Sequence, residues 1–184
     1  WRTVIDDPAI DAVCIGTWPY LHAAATCAAL EAGKHVLCEA RMARNVAEAE
    51  TMLAAAQQNS LVAMLVPSPF GLAGDRVMRR RITEGFLGTV REIYVRGLSD
   101  VYLSPAVPLQ WRQRSDLAGA NLLTLGIMFE TVLRWFGDVE SVQAQTSTFT
   151  PRRVNPDTGD LDDADIPDSV AVIARMRTGA QCVL

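Results

Sequence analysis

The sequence predicts an α/β first third built on a parallel sheet, followed by an α+β part with a mainly antiparallel sheet. Three observations carry this. Val13-Cys14-Ile15 and His35-Val36-Leu37-Cys38 are short apolar runs of strand length, separated by an alanine-rich helical stretch from Ala23 to Ala32. A third run, Leu61 to Val66, follows a second helical stretch. Beyond Pro67-Ser68-Pro69 the pattern changes, and apolar residues alternate with polar ones.

Asp7-Pro8 opens a turn before the first strand, which runs from Ala12 into Gly16-Thr17. Gly33 stands where a left-handed helix C-cap belongs, and Lys34 puts positive charge near the negative end of the helix dipole. Strand, helix, Gly and strand make one βαβ unit, and such crossovers build parallel sheets. Ligands of open parallel sheets bind beyond the carboxyl ends of the strands. Those ends are Gly16-Thr17-Trp18-Pro19 and Glu39-Ala40-Arg41. Asn45 caps a helix from Val46 to about residue 58, with Glu48 at capping-box spacing and Met52, Leu53 and Ala56 on its apolar side. Asn59-Ser60 stops it, and the third strand completes a domain over residues 1–66.

Residues 67–184 form the second domain. A helix from about Ala73 to Glu84 carries Arg76, Arg79, Arg80 and Arg81, which read as a solvated face. Thr89 to Arg96 alternates as a half-exposed strand. Residues 97–118 are irregular, and a loop of that length is often functional. Asn121 to Phe136 is strongly apolar and reads as a helix ending at Gly137. Val139 to Phe149 has the alternation of a strand, with Val142, Ala144 and Thr146 on one side. Pro151 to Asp168, with six aspartates, reads as an exposed loop. Ser169 to Met176 and Ala180 to Leu184 are strands joined by a hairpin at Arg177-Thr178-Gly179.

The totals set limits. A net charge of −4 gives no general attraction to nucleic acid or anionic membrane. No apolar run approaches the ~18 residues of a membrane span, and no charged-then-apolar leader stands at the start. Cys14, Cys27, Cys38 and Cys182 lack metal spacing, and two histidines add no ligand set. The cysteines read as small apolar core residues in a reducing cytoplasm. The chain begins with Trp1 and stops inside an expected strand, so it reads as an internal stretch of a longer protein; a complete small protein with ragged ends is the alternative.

Several stretches resemble one family. They are Asp7-Pro8-Ala9-Ile10-Asp11-Ala12-Val13, Gly16-Thr17-Trp18-Pro19-Tyr20-Leu21-His22, and Leu30-Glu31-Ala32-Gly33-Lys34-His35-Val36-Leu37-Cys38-Glu39. Glu84 to Val90, Trp111-Arg112, Leu125-Gly126-Ile127 and Leu133 to Gly137 continue the pattern in order. Together they resemble the glucose–fructose oxidoreductase / inositol dehydrogenase / MocA family. The resemblance implies the C-terminal part of a Rossmann domain holding NAD or NADP, then an incomplete α+β domain whose open sheet serves homo-oligomerisation. It implies hydride transfer at a carbon bearing a sugar or polyol hydroxyl, with a small-molecule substrate. It also places the phosphate loop upstream of Trp1.

Departures from the family pattern fall on its proton carriers. Where it has Lys after the strand-end Glu, this chain has Ala40, followed by Arg41. Where the long helix supplies Asp and then His, this chain has Thr124 and Met128, and a further acidic position is Thr131. Thr and Met do not titrate near neutral pH. Glu130 is a possible substitute, and Arg41 could fix an anionic group. The expected activity is therefore that of a divergent NAD(P)-dependent oxidoreductase; the alternative is a non-catalytic dinucleotide-binding member.

The resemblance places Thr17, Trp18, Pro19, His22 and Glu39 at the cofactor, and Arg41, Trp111, Arg112, Asn121, Thr124 and Met128 in the substrate pocket. Bland readings stand beside these. Residues 17–19 can be an ordinary strand-to-helix turn, His22 a histidine satisfied by local hydrogen bonds that braces the loop, and Glu39 a solvated strand end. Trp111, Arg112 and Asn121 can be plain packing, and Met128 a core residue.

Overall fold

The computed structural model describes residues 1–66, 73–120, 122 and 124–184. The expected break at Pro67-Ser68-Pro69, and the pocket residue Asn121, lie outside them. The chain divides into two compact units, Trp1–Pro67 with Trp111–Asn121, and Ser68–Gln110 with Leu122–Leu184.

In the first unit, helix α1 (Arg2–Asp6) leads to strand β1 (Ala12–Ile15). A 3-10 turn (Pro19–Leu21) follows, then α2 (His22–Glu31), β2 (His35–Cys38), α3 (Val46–Gln57) and β3 (Ala63–Leu65). The strands pair in parallel in the order β1-β2-β3, with Ile15 beside Cys38 and Cys38 beside Leu65. Gly33 takes φ +77°, the left-handed value that ends α2 and turns the chain into β2. Asn45 caps α3 by accepting from the Glu48 N–H at 2.9 Å.

The expectation that the cysteines are core residues holds for Cys38 and Cys182 but not for Cys14, which is exposed. Val13, Ile15, Val36 and Cys38 turn toward the helices and join a core with Ala29, Leu30 and Met52. Cys14, Leu37 and Met64 share the opposite face, where Cys14 is exposed and Met64 is 54% exposed. The third strand is also shorter than expected, and all of its residues are exposed. The helices of this unit cover one face only. Burial raises the thiol pKa of Cys38 above its ordinary value, so that thiol stays protonated and inert. Lys34 does more than sit near a helix end. It is buried, and its Nζ donates to the carbonyls of Asp7 (2.8 Å) and Ile10 (2.7 Å), closing the turn that leads into β1.

The second unit contains α4 (Asp75–Thr83), β4 (Glu92–Tyr94), α6 (Leu125–Phe136), β5 (Val139–Ser147), β8 (Ser169–Met176) and β9 (Gln181–Val183). The short α5 (Ser115–Ala118) belongs to the first unit. The sheet order is β4-β9-β8-β5; β5, β8 and β9 run antiparallel and β4 joins β9 in parallel. Helix α6 backs this sheet, with Val132 packed among Ile93, Ala174, Met176 and Cys182. The α4 arginines are exposed, as their expected solvated face requires.

Residues 151–168 correct the expectation of a plain exposed loop. β6 (Arg152–Val154) and β7 (Leu161–Asp163) form an antiparallel pair, and Arg153 is fully buried. Its guanidinium donates to the carbonyls of Tyr102 (2.6 Å), Ser104 (2.8 Å) and Val107 (3.0 Å), which order the irregular stretch before Trp111. The strand expected over Thr89–Arg96 narrows to three residues, and the long helix starts at Leu125 rather than at residue 121. Among the described residues no helix is long and apolar enough to cross a membrane.

Asp75 ties α4 to α6. Its carboxylate accepts from Arg134 at 2.6 and 3.2 Å and from the Trp135 indole at 2.9 Å. These hydrogen bonds, Arg134 first, hold its pKa below the usual carboxylate value. A depressed carboxylate stabilises the fold above its unfolded pKa of about 3.9, and that stabilisation is lost as pH falls through the folded value. Asp75→Asn is therefore expected to lower the melting temperature at pH 7. The gap to wild type should close as melts are repeated below about pH 4.

Candidate functional site

In the first unit the carboxyl ends of β1 and β2 lie side by side, because the register is parallel and the Glu39 N–H donates to the Ile15 carbonyl at 2.9 Å. Thr17 and Glu39 therefore emerge at the same edge of the sheet, and both are exposed. Between them lies His22, 1% exposed. Its Nδ1 is 2.6 Å from the Arg41 carbonyl oxygen and its Nε2 is 2.8 Å from the Thr17 carbonyl oxygen. A carbonyl oxygen only accepts, so the ring must donate: a neutral imidazole carries one N–H and donates to one of the two oxygens, an imidazolium to both. The imidazole thus joins the loop after β1 to the turn after β2. His22 and the buried Pro19 support the loop from beneath and offer a ligand little surface. The Ala40–Arg41 peptide in that turn is cis.

Trp18 is 46% exposed and stacks on Trp111, with ring centroids 5.9 Å apart and planes 17° from parallel. Arg112 lies over Trp111 with its guanidinium carbon 4.2 Å from the ring centroid. The segment that carries Trp111 and Arg112 is fastened to the first unit at Arg44. The Arg44 guanidinium donates to the Asp116 carbonyl at 3.1 Å, and Glu48 holds it through a further donation from Nε at 2.9 Å. Gly119, at φ +72°, lies so close to the Arg44 backbone that a Cβ has no room.

In the second unit Thr124 and Met128 sit one turn apart around α6 and meet at Gly97. A Cβ on Gly97 would lie 2.6 Å from Met128 Cε, 2.7 Å from Met128 Sδ and 3.3 Å from Thr124 Oγ1. Met128 is half-buried and Thr124 exposed. Glu130 is two residues further on, about 200° round the helix from Met128, so it does not share that face. Thr131 donates to the Ile127 carbonyl at 3.3 Å within the helix. Sequence reasoning missed Gly97; an isolated glycine closing an alternating strand pattern was the available signal. Among the described residues no group of three or more His, Cys, Asp or Glu side chains could hold a metal ion.

These features define a two-part protein whose first unit presents strand ends of the kind that receive a dinucleotide. The residues present fit such a group. An exposed carboxylate and hydroxyl stand at one sheet edge, and the part-exposed Trp18 ring follows Thr17 in the chain.

Comparison with known proteins agrees. Residues 1–66 match the model of the oxidoreductase family with an NAD-binding Rossmann fold, and residues 76–184 match the GFO/IDH/MocA C-terminal domain. The chain belongs to the GFO/IDH/MocA oxidoreductase family. It is 30% identical over 194 residues to levoglucosan dehydrogenase of Pseudarthrobacter phenanthrenivorans, an alignment covering 98% of this chain and 50% of that protein. It is 35% identical over 133 residues to 1,5-anhydro-D-fructose reductase of Ensifer adhaerens, covering 72% and 39%. The structure of levoglucosan dehydrogenase in complex with NADH and L-sorbose superposes with a TM-score of 0.87 at 30% identity, covering 100% of this chain and 50% of that one. The chain spans about half the length of the curated relatives it matches.

Gly97→Ala is expected to destabilise the second unit by about 1–3 kcal/mol, the usual cost of overpacking. Met128→Ala in the same chain should recover part of that loss, and thermal or urea melts of the two single variants and the double variant would show it. Strict additivity would separate Gly97 from Met128.

Proposed function

We propose that this chain forms part of an NAD(P)-dependent oxidoreductase that moves hydride to or from a sugar- or polyol-like substrate. The observation that carries the reading is the shared edge of Thr17 and Glu39, held by the His22 bridge, in a chain whose first unit matches the NAD-binding Rossmann model. The relatives' names, levoglucosan dehydrogenase and 1,5-anhydro-D-fructose reductase, support the substrate class.

When bound, a nicotinamide cofactor supplies or takes the hydride. The chain's own part is to orient and to exclude water. Glu39 accepts from ribose hydroxyls, while the Thr17 hydroxyl donates to the Trp18 carbonyl at 3.3 Å and holds the loop beside it. Pro19 and His22 hold that loop in place from below. By the family pattern Arg41, Trp111 and Arg112 are the substrate-side residues of the first unit, and Thr124 and Met128 those of the second. No side chain at Ala40, Thr124 or Met128 titrates near neutral pH. In this reading the proton carrier is non-standard: Glu130, a group of the substrate or a bound water.

Two further parts of the proposal rest on separate observations. The open face of the second-unit sheet carries a row of Tyr94, Val183 and Ile173, with Tyr94 66% and Ile173 59% exposed, and this face is suited to a second copy of the chain. The four cysteines are free, which suits a cytoplasmic setting.

Titration of the full-length protein with NADH and NADPH, followed by fluorescence, should give saturable binding of at least one. A panel of sugars, polyols and keto-sugars should then give turnover. Absence of binding to either dinucleotide would remove the proposal, and binding without turnover would mark a member that has lost the chemistry. Met128→His is expected to add a pH-dependent limb to the rate near the ordinary histidine pKa of about 6.5. A substitution that moves only the melting temperature would place Met128 in the core.

A further inference from the structure

Three layers are stacked beside the end of β1: the Arg112 guanidinium, the Trp111 ring and the Trp18 ring. Trp111 has two such partners, Arg112 at 4.2 Å and Trp18 at 5.9 Å. Trp18 has Trp111 as its ring partner and remains 46% exposed. The stack is well supported from below. Pro19, next in the chain, is buried, and the Leu21 N–H donates to the Trp18 carbonyl at 3.1 Å, closing the turn that aims the ring. The Trp111 end is anchored through Arg44, Asp116 and the tight approach at Gly119. Both rings are therefore held by backbone constraints independent of each other.

We propose that the open face of Trp18 is a stacking platform for a flat nitrogen-heterocyclic ring of the dinucleotide, continuing the series Arg112, Trp111, Trp18. The inference rests on the reading that this unit binds a nicotinamide dinucleotide. Near-parallel offset stacking at this spacing is the arrangement aromatic rings prefer, and the cation above Trp111 reinforces the layered geometry. A fourth planar π ring extends such a series without new hydrogen-bond partners. A pyranose ring would need donors and acceptors around its rim. The hydroxyl nearest the platform, that of Thr17, is turned to the Trp18 carbonyl at 3.3 Å. The adenine and nicotinamide ends of the cofactor share the required chemistry.

The test uses the full-length protein and three variants, Trp18→Phe, Trp18→Leu and Trp111→Leu. The stacked pair should give wild type an exciton couplet in far-ultraviolet circular dichroism, absent from Trp18→Leu and Trp111→Leu, and dinucleotide addition should perturb it. Loss of a base–aromatic stack corresponds to about a 5- to 100-fold weaker Kd. Trp18→Leu should show that loss for NADH or NADPH, whereas Trp18→Phe, which keeps a π face, should stay within about threefold. AMP and nicotinamide mononucleotide, titrated separately, identify the ring: the one whose binding responds to Trp18→Leu is the one stacked. If wild type binds a dinucleotide and Trp18→Leu leaves its Kd unchanged, the platform is overturned while the cofactor reading stands. If Trp18→Leu raises only the KM of the sugar or polyol, the platform takes substrate and the inference is likewise overturned. If wild type binds no dinucleotide at all, the underlying reading has failed.

Discussion

The first unit depends on one buried imidazole. β1 and β2 are joined along their length by ladder hydrogen bonds, but those bonds stop at Ile15 and Cys38. What happens beyond the strand ends is decided by His22, which reaches the Thr17 carbonyl on one side and the Arg41 carbonyl on the other. The bridge brings a buried side chain onto a backbone acceptor of each loop, where the strand ladder no longer supplies partners. The position of His22 at the first residue of α2 is what allows it: the helix start sits under both loops, and the ring need not extend far. Lys34 repeats the device at the opposite end of the same strands, holding the Asp7 and Ile10 carbonyls. Both ends of β1 are therefore pinned by buried cationic or polar side chains on backbone oxygens, and the strand's own length of four residues suffices.

The second unit uses the same chemistry in a different place. Arg153 is buried on three carbonyls of the stretch before Trp111, and Asp75 is held by Arg134 and Trp135. The first orders an irregular stretch and the second joins two helices. Residues 102–107 are held by Arg153 in addition to their own turn hydrogen bonds, Leu103 N–H to the Asp100 carbonyl and Val107 N–H to the Ser104 carbonyl.

Much of the fold was legible because it follows from local chemistry. Three apolar runs of strand length with two alanine-rich crossovers specify a parallel sheet. Asn45 specifies the start of α3, and Gly33 the end of α2, since each needs a backbone geometry that few residues supply. What was hidden depends on partners distant in sequence. Arg153 sits among aspartates and reads as solvated, and only its packing against Tyr102, Ser104 and Val107 makes a strand pair of a loop. The exposure of Cys14 and Met64 could not be read from their apolar neighbours, because periodicity gives a strand but not how many of its faces are covered. Trp18 and Trp111 were each suspected of lining a site, but no spacing rule could bring them face to face.

Set against the pattern that the family resemblance implies, α6 carries Thr124 and Met128 in place of titrating side chains. Thr124 and Met128 still stand at one-turn spacing, and Gly97 still lets the helix approach the segment after β4. A thioether is flexible and polarizable, and it fills the space over a glycine backbone without demanding a hydrogen-bond partner. A histidine there would need such a partner for each ring nitrogen, and Thr124 offers a hydroxyl where a carboxylate would fix the tautomer. Losing the two groups together is therefore less disruptive than losing either one, because the pair is replaced by side chains that leave no buried polar atom stranded.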